Sequence, residues 1–205
     1  MGIQSSLFEV ESQGQELLGG ACTYHRDYLS TGAVDDLFTY LLHSVDWRQE
    51  RLTIYGKQHL SPRLTCWMAD PECVYSYSKM TMQPVAWDTR VKQLCDQVSA
   101  ACQTPFNSVL INYYRDGKDS NGWHADDEPE LGRNPVIGSL SLGGPRDFLL
   151  RHKNDSTRKA KLALESGSLL IMHAGMQRNW QHHIPKRANS EPRINLTFRH
   201  IQINT

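Results

Sequence analysis

This chain of 205 residues has no apolar run near the roughly 20 residues a membrane-crossing helix needs, so no membrane partner is expected. It also lacks a charged-then-apolar secretory leader, and an intracellular location is expected. Cysteine is scarce. The five residues, Cys22, Cys66, Cys73, Cys95 and Cys102, are odd in number and contain no C-x-x-C pair. That argues against a disulfide framework or a zinc ribbon and suits a reducing compartment. No Gly/Ser/Pro-rich linker, internal repeat or low-complexity tract divides the sequence, so one domain spanning residues 1–205 is expected. Net charge is zero, which argues against a protein that holds nucleic acid by bulk electrostatics.

The charge is nevertheless unevenly placed. Residues 1–130 carry 10 Lys+Arg against 18 Asp+Glu, whereas residues 131–205 carry 12 against 4. Much of the basic excess falls between two apolar stretches, in the segment from Arg151 through Lys153, Arg158 and Lys159 to Lys161. A loop of this kind suits phosphate contacts, although an ordinary solvated hairpin would look the same.

The periodicity changes along the chain. Ser30 is placed to cap a helix running to about His43, with Val34, Leu37, Phe38, Leu41, Leu42 and Val45 on one face. Pro84 reads as the first residue of a second helix, with Trp87, Val91, Leu94, Cys95 and Val98 as its buried stripe. After Pro105 the pattern is that of strands: 106–114, 136–142, 147–151, 161–164, 168–173 and 193–201, punctuated by Gly143-Gly144-Pro145 and Gly167. Many modest strands after two helices imply a β-sandwich with a helical flank.

Within the last strand, Arg193, Asn195, Thr197 and Arg199 alternate with Ile194, Leu196 and Phe198. A period of two marks a half-buried strand. Two arginines on its polar face require an anion or open water, because guanidinium forks match carboxylates and phosphates. Their Cα atoms lie roughly 20 Å apart in an extended chain, so both side chains could grip one small dianion. A solvated edge strand is the plainer alternative.

A second constellation sits upstream. His124 and Asp126 project to one face of an extended segment. With a later histidine, His182 or its neighbour His183, they would form the two-imidazole, one-carboxylate set that holds non-haem Fe(II) and leaves coordination positions open. Asn112 and Tyr114 also share one face of their strand, as a two-point grip requires.

Taken together, these blocks resemble the AlkB-type Fe(II)- and 2-oxoglutarate-dependent dioxygenases that repair alkylated nucleobases, most of all the branch acting on duplex DNA. The resemblance runs from about Ile54 to Ile201. It is densest at Asn112-Tyr-Tyr114, His124-Ala-Asp126-Asp-Glu128, His182 with the Ile-Pro that follows His183, and Arg193 to Arg199. It implies a mainly β fold with flanking helices around a double-stranded β-helix, the jelly-roll or cupin-like core. Residues 1–105 would form the helical and nucleotide-recognition part and 106–205 the catalytic core.

The same resemblance implies His124, Asp126 and His182 as iron ligands, with His182 preferred to His183 by its place before Ile-Pro. Arg193, Tyr114 and Asn195 would take the far carboxylate of 2-oxoglutarate, and Arg199 and Asn112 would lie toward the iron end. Dioxygen completes the cofactor set, and the protein's task is positioning. The implied reaction is oxidative demethylation of 1-methyladenine- or 3-methylcytosine-type bases in DNA, releasing succinate, carbon dioxide and formaldehyde. The base would be flipped out of the duplex to reach the site. Glu128, Tyr75, Trp67 and His173 are the implied base contacts, and Tyr55 before Gly56 the wedge that refills the stack. A monomer acting on alkylated DNA is expected. Single-stranded DNA, RNA, or a protein or small-molecule substrate for the same chemistry, and a non-catalytic metal-binding jelly roll that binds nucleic acid, remain alternatives.

Overall fold

A computed structural model describes residues 14–203 apart from 55, 74, 78, 79 and 83; for 52–54, 75–77 and 80–82 it describes the backbone alone. Strands β1 (Gln15–Leu17) and β2 (Cys22–His25) precede helix α1 (Thr31–Ser44). Then come β3 (Arg51–Ile54), β4 (Lys57–Leu60), β5 (Leu64–Ala69), β6 (Tyr75–Tyr77), β7 (Met80–Met82) and helix α2 (Thr89–Cys102). Strands β8 (Ser108–Tyr114), β9 (Asn121–His124), β10 (Ile137–Gly143), β11 (Arg146–His152), β12 (Lys159–Leu164) and β13 (Leu169–Met172) follow. The single-turn helix α3 (Met176–Asn179), β14 (Trp180–Ile184) and β15 (Arg193–Arg199) complete the order.

The strands form an antiparallel seven-stranded sheet, β1-β2-β13-β10-β15-β8-β5, and an antiparallel four-stranded sheet, β12-β11-β14-β9. Two hairpins, β3-β4 and β6-β7, stand apart. The expected mainly β, jelly-roll class with flanking helices is the fold observed. Three of the seven strands in the large sheet, β1, β2 and β5, come from before residue 105.

Helix α1 forms as its spacing predicts, with Val34, Leu37 and Leu41 buried and Ser30 at the N-cap, although the serine side chain makes no capping bond. Helix α2 starts later than Pro84. Asp88 accepts hydrogen bonds from the backbone N–H groups of Arg90 and Val91 and so fixes the first turn, while Pro84 and Trp87 lie outside the helix. An acidic cap that pairs two orphan N–H groups outweighs a proline's preference for a first turn. Val91, Leu94, Cys95 and Val98 make the buried stripe nonetheless.

Both helices cover one face of the large sheet. Their buried side chains cluster with Val109, Ile111, Leu140, Leu142, Ile194, Leu196 and Phe198. A second cluster, including Trp67, Tyr114, Phe148, Leu164, Met172 and Ile184, fills the space between the two sheets. All seven residues of β15 are buried. The strand is therefore not half-buried, as alternation suggested, nor at an edge: it lies between β10 and β8 with both faces covered. Its apolar residues meet the helices, and its polar residues turn into the space between the sheets.

Candidate active site

Between the sheets lies a cavity of about 100 Å³ lined by Arg63, Trp67, Asn112, Tyr114, His124, Asp126, Glu128, His182, Arg193, Asn195 and Arg199, among others. Backbone register assembles it. In the small sheet His182 stands opposite His124, and in the large sheet Arg193 stands opposite Tyr114 and Asn195 opposite Asn112. Segments far apart in sequence thereby deliver polar side chains to one space.

Ligand atoms of His124, Asp126 and His182 lie within 4.8 Å of one another, the only such group found among the described residues. The rings of His124 and His182 sit 4.1 Å apart, centroid to centroid. Nδ1 of His124 is 2.8 Å from the Gly122 carbonyl; protonated there, it leaves Nε2 as an acceptor 3.8 Å from Asp126 Oδ1. Asp126 is fixed from two sides. Its backbone N–H donates to Gln177 Oε1 at 3.0 Å, and Arg199 Nη2 donates to its Oδ2 at 3.0 Å, leaving Oδ1 for the cluster. His183 points the other way and packs against Trp123 at 5.0 Å.

The electrostatics prepare this group for a cation. Burial, then the neighbouring His124, lowers the His182 pKa to about 3, and burial also lowers that of His124, so both imidazoles are neutral near pH 7. Burial by itself would raise the Asp126 carboxyl, but Arg199, followed by His182 and His124, outweighs it and holds the group well below the usual carboxylate range. Two neutral imidazoles beside one carboxylate fit Fe(II).

The other end of β15 is prepared for an anion. Arg193 is 1% exposed, and burial lowers its pKa to about 10, which leaves it charged. Nη2 donates to Ser141 Oγ at 3.0 Å, but Nε and Nη1 have no hydrogen-bond partner among the described residues. Its guanidinium lies 5.2 Å from the centre of the Tyr114 ring. An uncompensated buried guanidinium is costly unless a ligand pairs with it.

The remaining expected positions divide. Asn195 lines the cavity but its amide is engaged, donating to Ser139 Oγ and the Leu140 carbonyl while Oδ1 accepts from Thr197. Asn112 stands opposite Asn195, in mid-strand, and accepts from Arg63 Nε at 2.7 Å. Glu128 and Trp67 line the cavity; His173, whose Nε2 lies 2.7 Å from Thr23 Oγ1, is not among its lining residues. Tyr75 lies in the backbone of β6, with its side chain outside the description, and Tyr55 is outside the described residues altogether. Strands β3 and β4, which precede and follow Tyr55 and Gly56 in sequence, pair as a hairpin, with Gly56 at φ +76°.

The basic segment becomes the β11–β12 hairpin, and several of its cations are committed. Lys153 pairs with Asp127, Lys161 pairs with Asp147, and Arg151 and Arg158 lie over Trp123 and Trp180. Sequence reasoning missed Gln177, which holds the Asp126 backbone, and gave Arg63 no role, although its guanidinium lines the cavity 7% exposed. Neither sits in a periodic motif, so no local signal marks them.

The match to the family model described as 2OG-Fe(II) oxygenase superfamily covers residues 21–199. The chain belongs to that superfamily. Fe(II) and 2-oxoglutarate, for which the family is named, agree with the cofactors expected and with the His-Asp-His group. Two relatives carry AlkB names, as expected from the motifs. "Alpha-ketoglutarate-dependent dioxygenase alkB homolog 3" of Homo sapiens is 40% identical over 84% of this chain and 63% of its own length. "DNA oxidative demethylase ALKBH2" of Homo sapiens is 38% identical over 82% and 68%. The bovine alkB homolog 3 is 43% identical over 80% of this chain and 60% of its own, so the chain spans about three fifths of such relatives. The solved structure of OsALKBH1 shares the oxygenase fold, with a TM-score of 0.60 at 18% identity, covering 91% of this chain and 99% of that one. Among the described residues no helix is long and apolar enough to cross a membrane.

Proposed function

We propose that this superfamily member is an Fe(II)- and 2-oxoglutarate-dependent dioxygenase that demethylates N-alkylated bases of the 1-methyladenine and 3-methylcytosine type in DNA, including duplex DNA. The observation that carries this reading is the division of labour along β15. Arg199 braces the carboxylate of a metal-fitting cluster, while Arg193, at the far end of the same cavity, has two donor atoms with no hydrogen-bond partner among the described residues. Relatives named as a dioxygenase and as a DNA oxidative demethylase support the reaction and substrate class.

His124, Asp126 and His182 would hold the iron, the imidazoles kept neutral by burial and the carboxylate kept ionised by Arg199. When bound, iron, 2-oxoglutarate and dioxygen would supply the oxidising chemistry: one oxygen atom hydroxylates the N-methyl group and the other enters succinate as carbon dioxide is lost, and the hydroxymethyl group then leaves as formaldehyde. Arg193 and Tyr114 take the far carboxylate of the co-substrate, and Asn195, held by Ser139, braces that wall. Arg199 and Asn112 serve the wall nearer the metal. Glu128 offers a carboxylate to a cationic methylated base, Trp67 an apolar plane and Tyr75 a further contact, whereas His173, bonded to Thr23 and outside the cavity lining, is left out of that set. Reaching the cavity requires the base to leave the duplex, and Tyr55, which in sequence stands between β3 and β4, is the residue that would fill the gap. An intracellular, reducing location suits the five free cysteines, and the protein is taken to act as a monomer.

The test is mass spectrometry of a panel of methylated oligonucleotides incubated with the protein, fresh Fe(II) and 2-oxoglutarate. Demethylated base, succinate and formaldehyde are expected, all abolished by Asp126→Ala. If none forms from any DNA, RNA or free-nucleoside substrate, the catalytic reading is wrong.

A further inference from the structure

Arg146, at the start of β11, is 1% exposed, as fully buried as Arg193, yet does not line the cavity. It donates to three backbone carbonyls: Asp119 at 2.8 Å, Pro185 at 2.6 Å and Asp116 at 3.3 Å. None of these partners is charged. The nearby Asp119 carboxylate is taken by Arg115, which donates to both of its oxygens at 2.8 and 2.9 Å. Among the described residues Arg146 has no ion-pair partner, and its Nε has no hydrogen-bond partner. The Asp119 and Asp147 carboxylates offset part of its charge without bonding to it and the Arg187 guanidinium adds to it, but a buried cation bonded only to carbonyls is little screened by solvent.

That field is directed at the cavity through Tyr114. The Arg146 guanidinium lies 5.5 Å from the Tyr114 ring centre and that of Arg193 lies 5.2 Å from it, so the two cations stand within about 11 Å. Burial lowers the pKa of Arg193, and Arg146 lowers it further, as like charges do at short range. The same side chain fastens the loop after β8 to the segment after β14. There Arg187 N–H donates to the Gly117 carbonyl at 2.8 Å, and a Cβ on Gly117 would meet the Arg187 carbonyl oxygen at 2.1 Å. Arg146 thus ties together the ends of the strands that carry Tyr114 and His182.

We propose that Arg146 is a positioning residue for the co-substrate: a second buried cation behind Tyr114 that makes the far end of the cavity select a dicarboxylate over a monocarboxylate. This rests on the functional reading above, in which Arg193 receives the far carboxylate of 2-oxoglutarate. At an effective dielectric of about 20, a unit charge at this range changes the affinity of a carboxylate by roughly tenfold.

The experiment is calorimetric binding of 2-oxoglutarate and of 2-oxopentanoate, which lacks the far carboxylate, to the protein loaded with redox-inert Mn(II). Arg146→Gln removes the charge but keeps a donor; Arg146→Lys keeps the charge without the fork. Arg146→Gln is expected to weaken 2-oxoglutarate about tenfold and leave 2-oxopentanoate unchanged, whereas Arg146→Lys stays within about threefold of the parent for both. Equal weakening of both ligands by Arg146→Gln, or no weakening, overturns the proposal. Should Arg146→Gln fail to fold, Arg146→Lys decides: a loss of tenfold or more confined to 2-oxoglutarate means that geometry rather than charge acts, and overturns it, whereas retained selectivity supports it. Absence of 2-oxoglutarate binding to the unaltered protein overturns the functional reading itself and this inference with it.

Discussion

Replacing Arg193 with methionine should move stability and ligand binding in opposite directions. The guanidinium is buried with one hydrogen bond, to Ser141, and two donor atoms without a partner among the described residues. Each unsatisfied donor costs about 1–3 kcal/mol, more than the lost bond to Ser141 returns, so exchanging the cation for an apolar chain is expected to be neutral or stabilising by about 1–4 kcal/mol. The ligand experiences the reverse. Two charge-assisted hydrogen bonds at about 1.5–3 kcal/mol each correspond to a loss of about 100- to 10,000-fold in 2-oxoglutarate affinity. The assay is thermal melting with and without 2-oxoglutarate. At a concentration 100 times its Kd the ligand should stabilise the parent by about 2.7 kcal/mol, or about 5–10 °C for a chain of this length. Arg193→Met should melt at or above the parent temperature without ligand and show no shift with it. A variant that melts far below the parent without ligand, yet keeps the ligand shift, would show that Arg193 is a structural cation and refute the reasoning.

Three further outcomes follow from the geometry. His182→Ala should weaken Mn(II) or Fe(II) binding, measured by calorimetry, by at least about 100-fold, whereas His183→Ala, on the opposite face, should leave it within a few-fold; the reverse order would mean the wrong histidine has been chosen. Tyr55→Ala should slow demethylation of duplex DNA by roughly tenfold and spare the single strand, because only the duplex needs its stack refilled; equal losses on both substrates would remove the wedge. Burial pushes the thiols of Cys22, Cys66, Cys73 and Cys95 up to about 11 and that of Cys102 up to about 12. The unfolded chain therefore loses these protons first. Thiol-linked stability is complete below about pH 9 and falls as pH rises through 11, and urea midpoints that stayed level or climbed across that window would contradict the burial.

Much of the site was legible as residue types in order. His124-x-Asp126, a later histidine and Arg193-x-Asn195-x-x-x-Arg199 point to metal and dicarboxylate chemistry because donor sets and guanidinium forks are intrinsic to side chains. Six of the eight strands after residue 105 were legible from alternation, each end within two residues; β9 and β14, which carry His124 and His182, were not among them. The strands before it, β1, β2 and β5, were not: β5 is buried at five of its six positions, so it shows no period of two, and β1 and β2 are only three and four residues long.

The sequence by itself determined the chemistry on offer: two neutral-capable imidazoles, one carboxylate, and a strand with arginines at both ends. Tertiary structure decided how they are used. Register set His182 rather than His183 opposite His124, and pairing on both sides turned β15 from a half-exposed strand into the centre of the large sheet. Burial then gave each cation a different value: Arg199 is matched to Asp126, Arg146 to neutral carbonyls, and Arg193 keeps two donor atoms without a partner among the described residues. Long-range pairing and desolvation depend on what lies across the sheet, and no window of consecutive residues contains that information.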